Sequence, residues 1–240
     1  MKRRCVLLPV ALILIAGACV LKDKDGAVLP GIRNVEYQDS GDRFQYKVSI
    51  PQFENITSDD VSNLNVALQE NARIVIDNVT ADEGDDDEDD TLQRDAMISY
   101  DIKDNNFDIL SIVLDTYLYQ GDGNPIGYIE SYNLSKKSLK LLEFDDIFIP
   151  EAEAYFEKYI KKSAAQYPQT RVIVKGYQDD RKGQELPFSQ VDFKVKSAVL
   201  YFEGNDVVFV YPSYEIVGDA YKMIVFRIGR SEISSYIRGY

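Results

Sequence analysis

Any chemistry in this chain has to come from carboxylates and phenols, because the sequence contains no histidine and no tryptophan. Lack of histidine removes Ser/His and Cys/His nucleophilic pairs, histidine-containing zinc sites and the commonest general base together. The two cysteines, Cys5 and Cys19, both lie near the N-terminus, so a zinc site elsewhere would rest on carboxylates alone. There is no Gly-x-Ser-x-Gly elbow, no Ser-x-x-Lys pair, no phosphate-cradling glycine loop and no dinucleotide fingerprint. No cofactor and no metal is expected.

Carboxylates are plentiful, 40 against 27 basic residues. Glycoside hydrolysis needs only two of them at a set separation, and spacing alone does not select a pair from so many. Asp145 and Asp146 read as the polar edge of a packed turn rather than as a catalytic couple. Asp82–Asp90 holds eight acids interrupted only by Gly84. Oxygen-rich runs suit calcium, but Asp90 stands where an EF-hand loop needs glycine, and self-repulsion favours a solvated extended loop. Calcium binding there stays open.

Seventeen tyrosines raise the alternative of a stacking platform for sugars, although tyrosine on strand and helix faces serves mainly as an amphipathic core-edge residue. Tyr117, Tyr119, Tyr128 and Tyr132 flank a turn, Gly121-Asp122-Gly123-Asn124-Pro125, that adds Asp122 and Asn124. These six form the first candidate binding group. Tyr214 and Glu215 form a second, with the simpler reading that Glu215 pairs a basic residue where the chain leaves a strand.

The elements that must position these groups centre on one hairpin, 107–134. Phe107, Ile109, Val113, Tyr117 and Tyr119 alternate with Leu110, Ile112, Leu114 and Leu118, so the first strand is apolar on both faces and has to be covered on both. Before it, Phe44, Tyr46, Val48 and Ile50 alternate as a half-buried strand that Pro51 should end. Val61, Leu64, Leu68, Ala72, Val75 and Val79 follow at steps of three and four, predicting a helix over 57–79 opened by Thr57 and Asp60. After the hairpin, Leu139–Ile149 reads as irregular. A second helix is expected over 150–167, with Ala152, Tyr155, Phe156, Tyr159, Ile160 and Ala164 on its apolar face, acids early and lysines late. Val172–Val174, Phe193–Tyr201, Val207–Tyr211 and Lys222–Ile228 read as strands, with Gly204-Asn205 turning one pair and a helical turn at Ser231–Ile237. The fold class is α+β, a mostly antiparallel sheet with two main helices packed on it.

The chain opens with Lys2, Arg3 and Arg4, then the uncharged run Val6–Ala18, the pattern of an export signal over 1–18. Ile15-Ala16-Gly17-Ala18-Cys19 reads as a lipobox with Cys19 lipidated, or as an ordinary cleavage site that leaves a secreted protein. The stretch 19–42 is then the lipidated N-terminus and tether, 43–119 an N-terminal half and 120–240 a C-terminal half. Removing Met1–Ala18 takes away three basic residues and no acid, which deepens the net charge from −13 to −16. That charge disfavours nucleic acid and anionic lipid and favours a cationic partner.

Several stretches resemble a known family. Lys47–Phe53 followed by Leu64-Asn65, then Tyr132-Asn133-Leu134, Leu141–Phe148 ending in Asp146-Ile147-Phe148, and Val208–Ile216 with its Pro212-Ser213-Tyr214-Glu215-Ile216, stand in the order found in the paired DUF4163/DUF3298-type extracytoplasmic domains. Those domains belong to RsiV-like lysozyme-sensing anti-sigma factors and PdaC-like peptidoglycan deacetylases. The resemblance covers about Arg43–Ile237 and implies an α+β extracytoplasmic module with no established catalytic activity, used in sensing or binding at the cell wall. Two features depart from it. The family's histidine-bearing central turn is replaced by Gly121–Pro125, and neither a cytoplasmic segment nor a deacetylase domain accompanies the module.

The sequence expectation is therefore a non-enzymatic envelope lipoprotein that binds a basic protein such as lysozyme, or a wall glycan. A carboxylate-dependent peptidoglycan hydrolase is the alternative.

Overall fold

A computed structural model of the chain describes residues 18–19, 31–56, 58–81, 93–121, 125–174, 184–216 and 219–238, with side chains left aside at 18–19, 173–174, 184 and 213–222. The leader, the acidic run 82–90, and Asp122 and Asn124 lie outside these residues. The elements run β1 (Ala18–Cys19), β2 (Ile32–Ser40), β3 (Phe44–Phe53), α1 (Asp59–Thr80), β4 (Arg94–Lys103), β5 (Ile109–Tyr119), β6 (Ile126–Ser135), α2 (Phe144–Ile147), α3 (Glu151–Ala164), β7 (Arg171–Val174), β8 (Gln184–Pro187), β9 (Val199–Glu203), β10 (Asp206–Ile216), β11 (Asp219–Gly229) and α4 (Arg230–Ile233). The fold is α+β, as the alternation of strand and helix patterns predicts.

Strands β1 to β6 form one sheet in sequence order, and β11-β10-β7-β8 form another in which β9 also pairs β10. Two compact units are drawn from them. Unit 1 takes the chain to Tyr100 together with Leu114–Tyr128, and unit 2 takes Asp101–Val113 with Ile129–Tyr240. Strands β4, β5 and β6 therefore each contribute residues to both, whereas the sequence reading divides the halves at 119/120.

In unit 1, α1 connects β3 to β4, which pair in parallel from Phe44–Arg94 to Val48–Ile98. A parallel neighbour requires such a crossover, and the helix lies on β3. All six residues of the predicted stripe, Val61 through Val79, are buried. They face Val48 and Ile50 of β3 and Ala96 and Ile98 of β4, which are buried as well. The N-cap is Ser58, making no side-chain capping bond, and Thr57 lies outside the described residues.

Two expectations for this region change. Strand β3 continues through Pro51 to Phe53, because its pairing with β4 stops at Val48 while Pro51 stays in register with Asn34 of β2. Proline is tolerated where one flank of a strand is no longer laddered. The tether expected over 19–42 gives way at Ile32 to β2, paired with β3 over its whole length. Of that strand only Ile32 and Val35 are buried, and their spacing of three hides the period of two.

In unit 2, β10 is the middle strand, with β11 on one side and first β9, then β7, on the other. Its ladder shifts register between Tyr211 and Glu215. Helices α2 and α3 lay Phe144, Phe148 and Phe156 over Phe202 and Phe209, in a core that also holds Phe188, Phe193, Tyr211 and Phe226. The one-turn α2 is closed by a capping box between Glu143 and Asp146, in the stretch expected to be irregular. The strand expected at Phe193–Tyr201 starts only at Val199. Phe193 and Val195 are buried in alternation as a strand would bury them, but a 3-10 turn at Val195–Ser197 carries the chain between them and β9. Gly204 turns β9 into β10 at φ +59°, a conformation that favours glycine.

Candidate functional site

Unit 1 has its helix on one face of the sheet, and strand alternation aims Gln45, Lys47 and Met97 at the other. Cross-strand register aligns Gln38 with Lys47 and Met97, and Ser40 with Gln45 and Asp95. These residues, with Tyr117 and the edges of Asp39, Tyr46 and Ala96, line an open depression of about 640 Å³. Met97, 44% exposed, supplies an apolar floor among amide, ammonium and carboxylate groups. Burial, and then the negative charge of Asp39, push the Tyr46 phenol up. The depression can accept and donate hydrogen bonds and is lined by the aromatic residues Tyr46 and Tyr117, which suits recognition of a polar ligand.

Of the predicted binding residues with described side chains, Tyr117 lines this depression. Tyr119 shares its face of β5, opposite the buried Thr116 and Leu118, and its hydroxyl donates to the Gly121 carbonyl at 2.8 Å. Tyr128 is half-buried and reaches the helix instead, pairing with the Asn71 side chain at 3.2 Å. Tyr132 is half-buried on β6, on the opposite side of that strand from Ser131 and Asn133. The tyrosines around the turn are thus spread over different strand faces. Tyr214 and Glu215 sit within the irregular stretch of β10, whose register with β11 shifts between Tyr211 and Glu215 and again between Glu215 and Ile216, and their backbones lie opposite Val174 and Ile173 of β7. Cys19 is placed opposite Ile32 of β2.

Both acids of the Asp145-Asp146 pair are engaged locally. Asp145 meets Lys196 at 2.9 Å, and Asp146 meets Lys140 at 2.6 Å while accepting from the Glu143 amide. Lys140 and that amide hold the Asp146 carboxyl below its ordinary range. An acid so stabilised in its charged form is a poor proton donor. Among the described residues no group of three or more acids is placed to hold a metal ion.

The family-like stretches prove to contain structural pins. Asn65 on α1 accepts from the Phe53 N–H and donates to the Phe53 carbonyl, both at 2.9 Å, satisfying the end of β3 as a neighbouring strand would. Asn133 donates to the Leu200 carbonyl and accepts from Ser111, whose hydroxyl in turn takes the Phe202 N–H. All three bonds are buried. Ile147 and Phe148 belong to the aromatic core.

One grouping escaped the sequence reading. Tyr155 of α3 stacks on Tyr236 near the C-terminus at 4.5 Å and 22°, and Tyr159 lies beside Tyr155 at 6.5 Å. All three are half-buried, and Glu232 stands beside them, exposed. The spacing of Tyr155 and Tyr159 marks a helix face, but nothing local points to Tyr236.

No family model and no curated protein matches the sequence. Solved structures similar in fold include two from one family. A DUF3298 family protein from Pseudomonas aeruginosa PAO1 is 12% identical with a TM-score of 0.50, the alignment covering 88% of this chain and 94% of that one. A member of the same family from Bacteroides fragilis NCTC 9343 is 10% identical with a TM-score of 0.52, covering 87% and 93%. Identity this low speaks to architecture alone, and on that ground the chain has the fold of DUF3298 family proteins.

Proposed function

We propose that this protein is a non-enzymatic ligand-binding module exported to the cell envelope and held there through a lipid on Cys19. The depression on the open sheet face of unit 1 carries the reading, since it offers a ligand hydrogen-bonding groups and the Tyr117 ring. Net charge selects the class of partner. At −13, or −16 once the leader is removed, the chain draws in a cationic protein and repels anionic ones.

Retention of the chain on an immobilised basic lysozyme tests this directly. Binding is expected at about 10 mM salt, where charges act over about 30 Å, and should weaken sharply at about 1 M, where that range falls to about 3 Å. No retention at low salt, with retention on purified peptidoglycan, would transfer the reading to a glycan. That second reading is favoured by Tyr117 lying among the amides of Gln38 and Gln45, a combination suited to a sugar ring and its hydroxyls. Release of muropeptides from sacculi by the purified chain would overturn the non-enzymatic part.

A further inference from the structure

We propose that the ledge formed by Tyr155, Tyr159 and Tyr236, with Glu232 at its side, receives an arginine side chain of a basic protein partner. The inference rests on the cationic-partner reading above and says which surface of unit 2 meets that partner and through what chemistry.

The ledge is rigidly backed. Phe156, fully buried, lies 5.8 Å from the Tyr155 ring and 6.2 Å from Tyr236, so each tyrosine leans on the core and leaves the remainder of its ring to solvent. Tyr236 is further fixed by its N–H donating to the Ile233 carbonyl at 2.8 Å and by its own carbonyl accepting from Ile149 at 2.9 Å. Side chains already ordered in this way lose little entropy when a ligand stacks on them.

The charge around the ledge selects the ligand. Burial first and Glu232 second push up both the Tyr155 and Tyr159 hydroxyls, and Asp206 adds to the effect on Tyr159. Negative potential therefore falls on a half-buried aromatic surface. A guanidinium suits both features, because it is planar, weakly hydrated, stacks on aromatic faces and donates in a fork to a carboxylate. An ammonium holds its water more tightly. A neutral sugar would stack but bring no charge to Glu232, which the Tyr155 hydroxyl already contacts.

The test uses the full chain with isotope-labelled tyrosine rings, their resonances assigned with Tyr155→Phe, Tyr159→Phe and Tyr236→Phe. N-acetylarginine amide is titrated at about 10 mM salt. Ring signals of Tyr155 and Tyr236 should shift saturably, and Glu232→Gln should weaken the response roughly 3- to 10-fold, the scale of one exposed ion pair reinforced by ring contact. Glu232 is exposed, so this substitution spares the core. Absence of those shifts, indifference to Glu232→Gln, or an equal response to an N-acetylglucosamine oligomer would overturn the assignment. Retention on lysozyme separates the two readings. If lysozyme binds and Glu232→Gln leaves that binding unchanged, the ledge is wrong and the module reading stands. If lysozyme does not bind while the arginine derivative shifts the ledge, the ledge stands and the choice of partner fails.

Discussion

The two units bury different kinds of side chain. Unit 1 is largely aliphatic, with Val61, Leu64, Leu68, Val75 and Val79 of α1 set against Val48, Ile50 and Ile98. Unit 2 is built on rings, in which Phe144, Phe148 and Phe156 contact one another and Phe148 and Phe156 reach on to Phe202 and Phe209 at 6.3 and 5.3 Å. Aliphatic helix-on-sheet packing follows a period that a sequence displays. Aromatic packing gathers side chains from short turns and distant strands, so it also holds segments that have no period, such as Glu143–Phe148.

The contrast can be broken by substitution. Phe156→Ala should destabilise the protein by about 3–5 kcal/mol, since a fully buried ring shared by several partners leaves a cavity that they cannot close. Calorimetric unfolding will show it, and a loss below about 1 kcal/mol would mean that the aromatic core is loosely packed. Leu68→Ala should cost about 2–5 kcal/mol in a denaturant titration, at the lower end if the aliphatic layer relaxes more readily than the rings. An effect near zero would remove α1 from its place on the sheet.

Polar pins come next. Asn133→Ala takes the acceptor from the buried Ser111 hydroxyl and leaves the Leu200 carbonyl with Ser131 as its side-chain donor, for an expected loss of about 1–3 kcal/mol. Amide exchange at Phe202, whose N–H donates to Ser111, should speed up with it. Smallest is the surface network of Glu203 with Arg227 at 2.5 Å and Lys103 at 3.3 Å. These cations hold the Glu203 carboxyl below its ordinary value. Its contribution is therefore complete above the unfolded carboxylate pKa of about 4.3 and is lost as pH falls through the lower folded value. The side chain is 34% exposed, so the amount is below about 1 kcal/mol, and Glu203→Gln should flatten the acid limb of the stability profile only slightly.

How much was legible follows the same division. The α1 stripe was readable residue by residue because its period is unbroken, and β5 because Ile109–Leu114 is buried on both faces. Strand β2 was not, since seven of its nine residues stay at least partly exposed and it borrows its order from β3. Turn α2 is hidden because Asp146, which builds its capping box with Glu143, reads with Asp145 as a bare acidic pair. For the site, Tyr117 was named but its neighbours were not, because Gln38, Lys47 and Met97 converge only through strand register. The Tyr155–Tyr236 ledge needs the chain end brought back to α3, which no local pattern encodes.

The assignment of β4, β5 and β6 to both units bears on how the protein can be dissected. The backbone passes between the units at Tyr100/Asp101, Val113/Leu114 and Tyr128/Ile129, each time within a strand. A cut at 119/120 would leave part of each unit in both fragments, and any contiguous fragment that holds the whole of one unit also holds residues of the other. Limited proteolysis or truncation cloning cannot isolate either half as a contiguous piece, and only rejoined segments, as in a circularly permuted or linker-bridged gene, could give one unit alone.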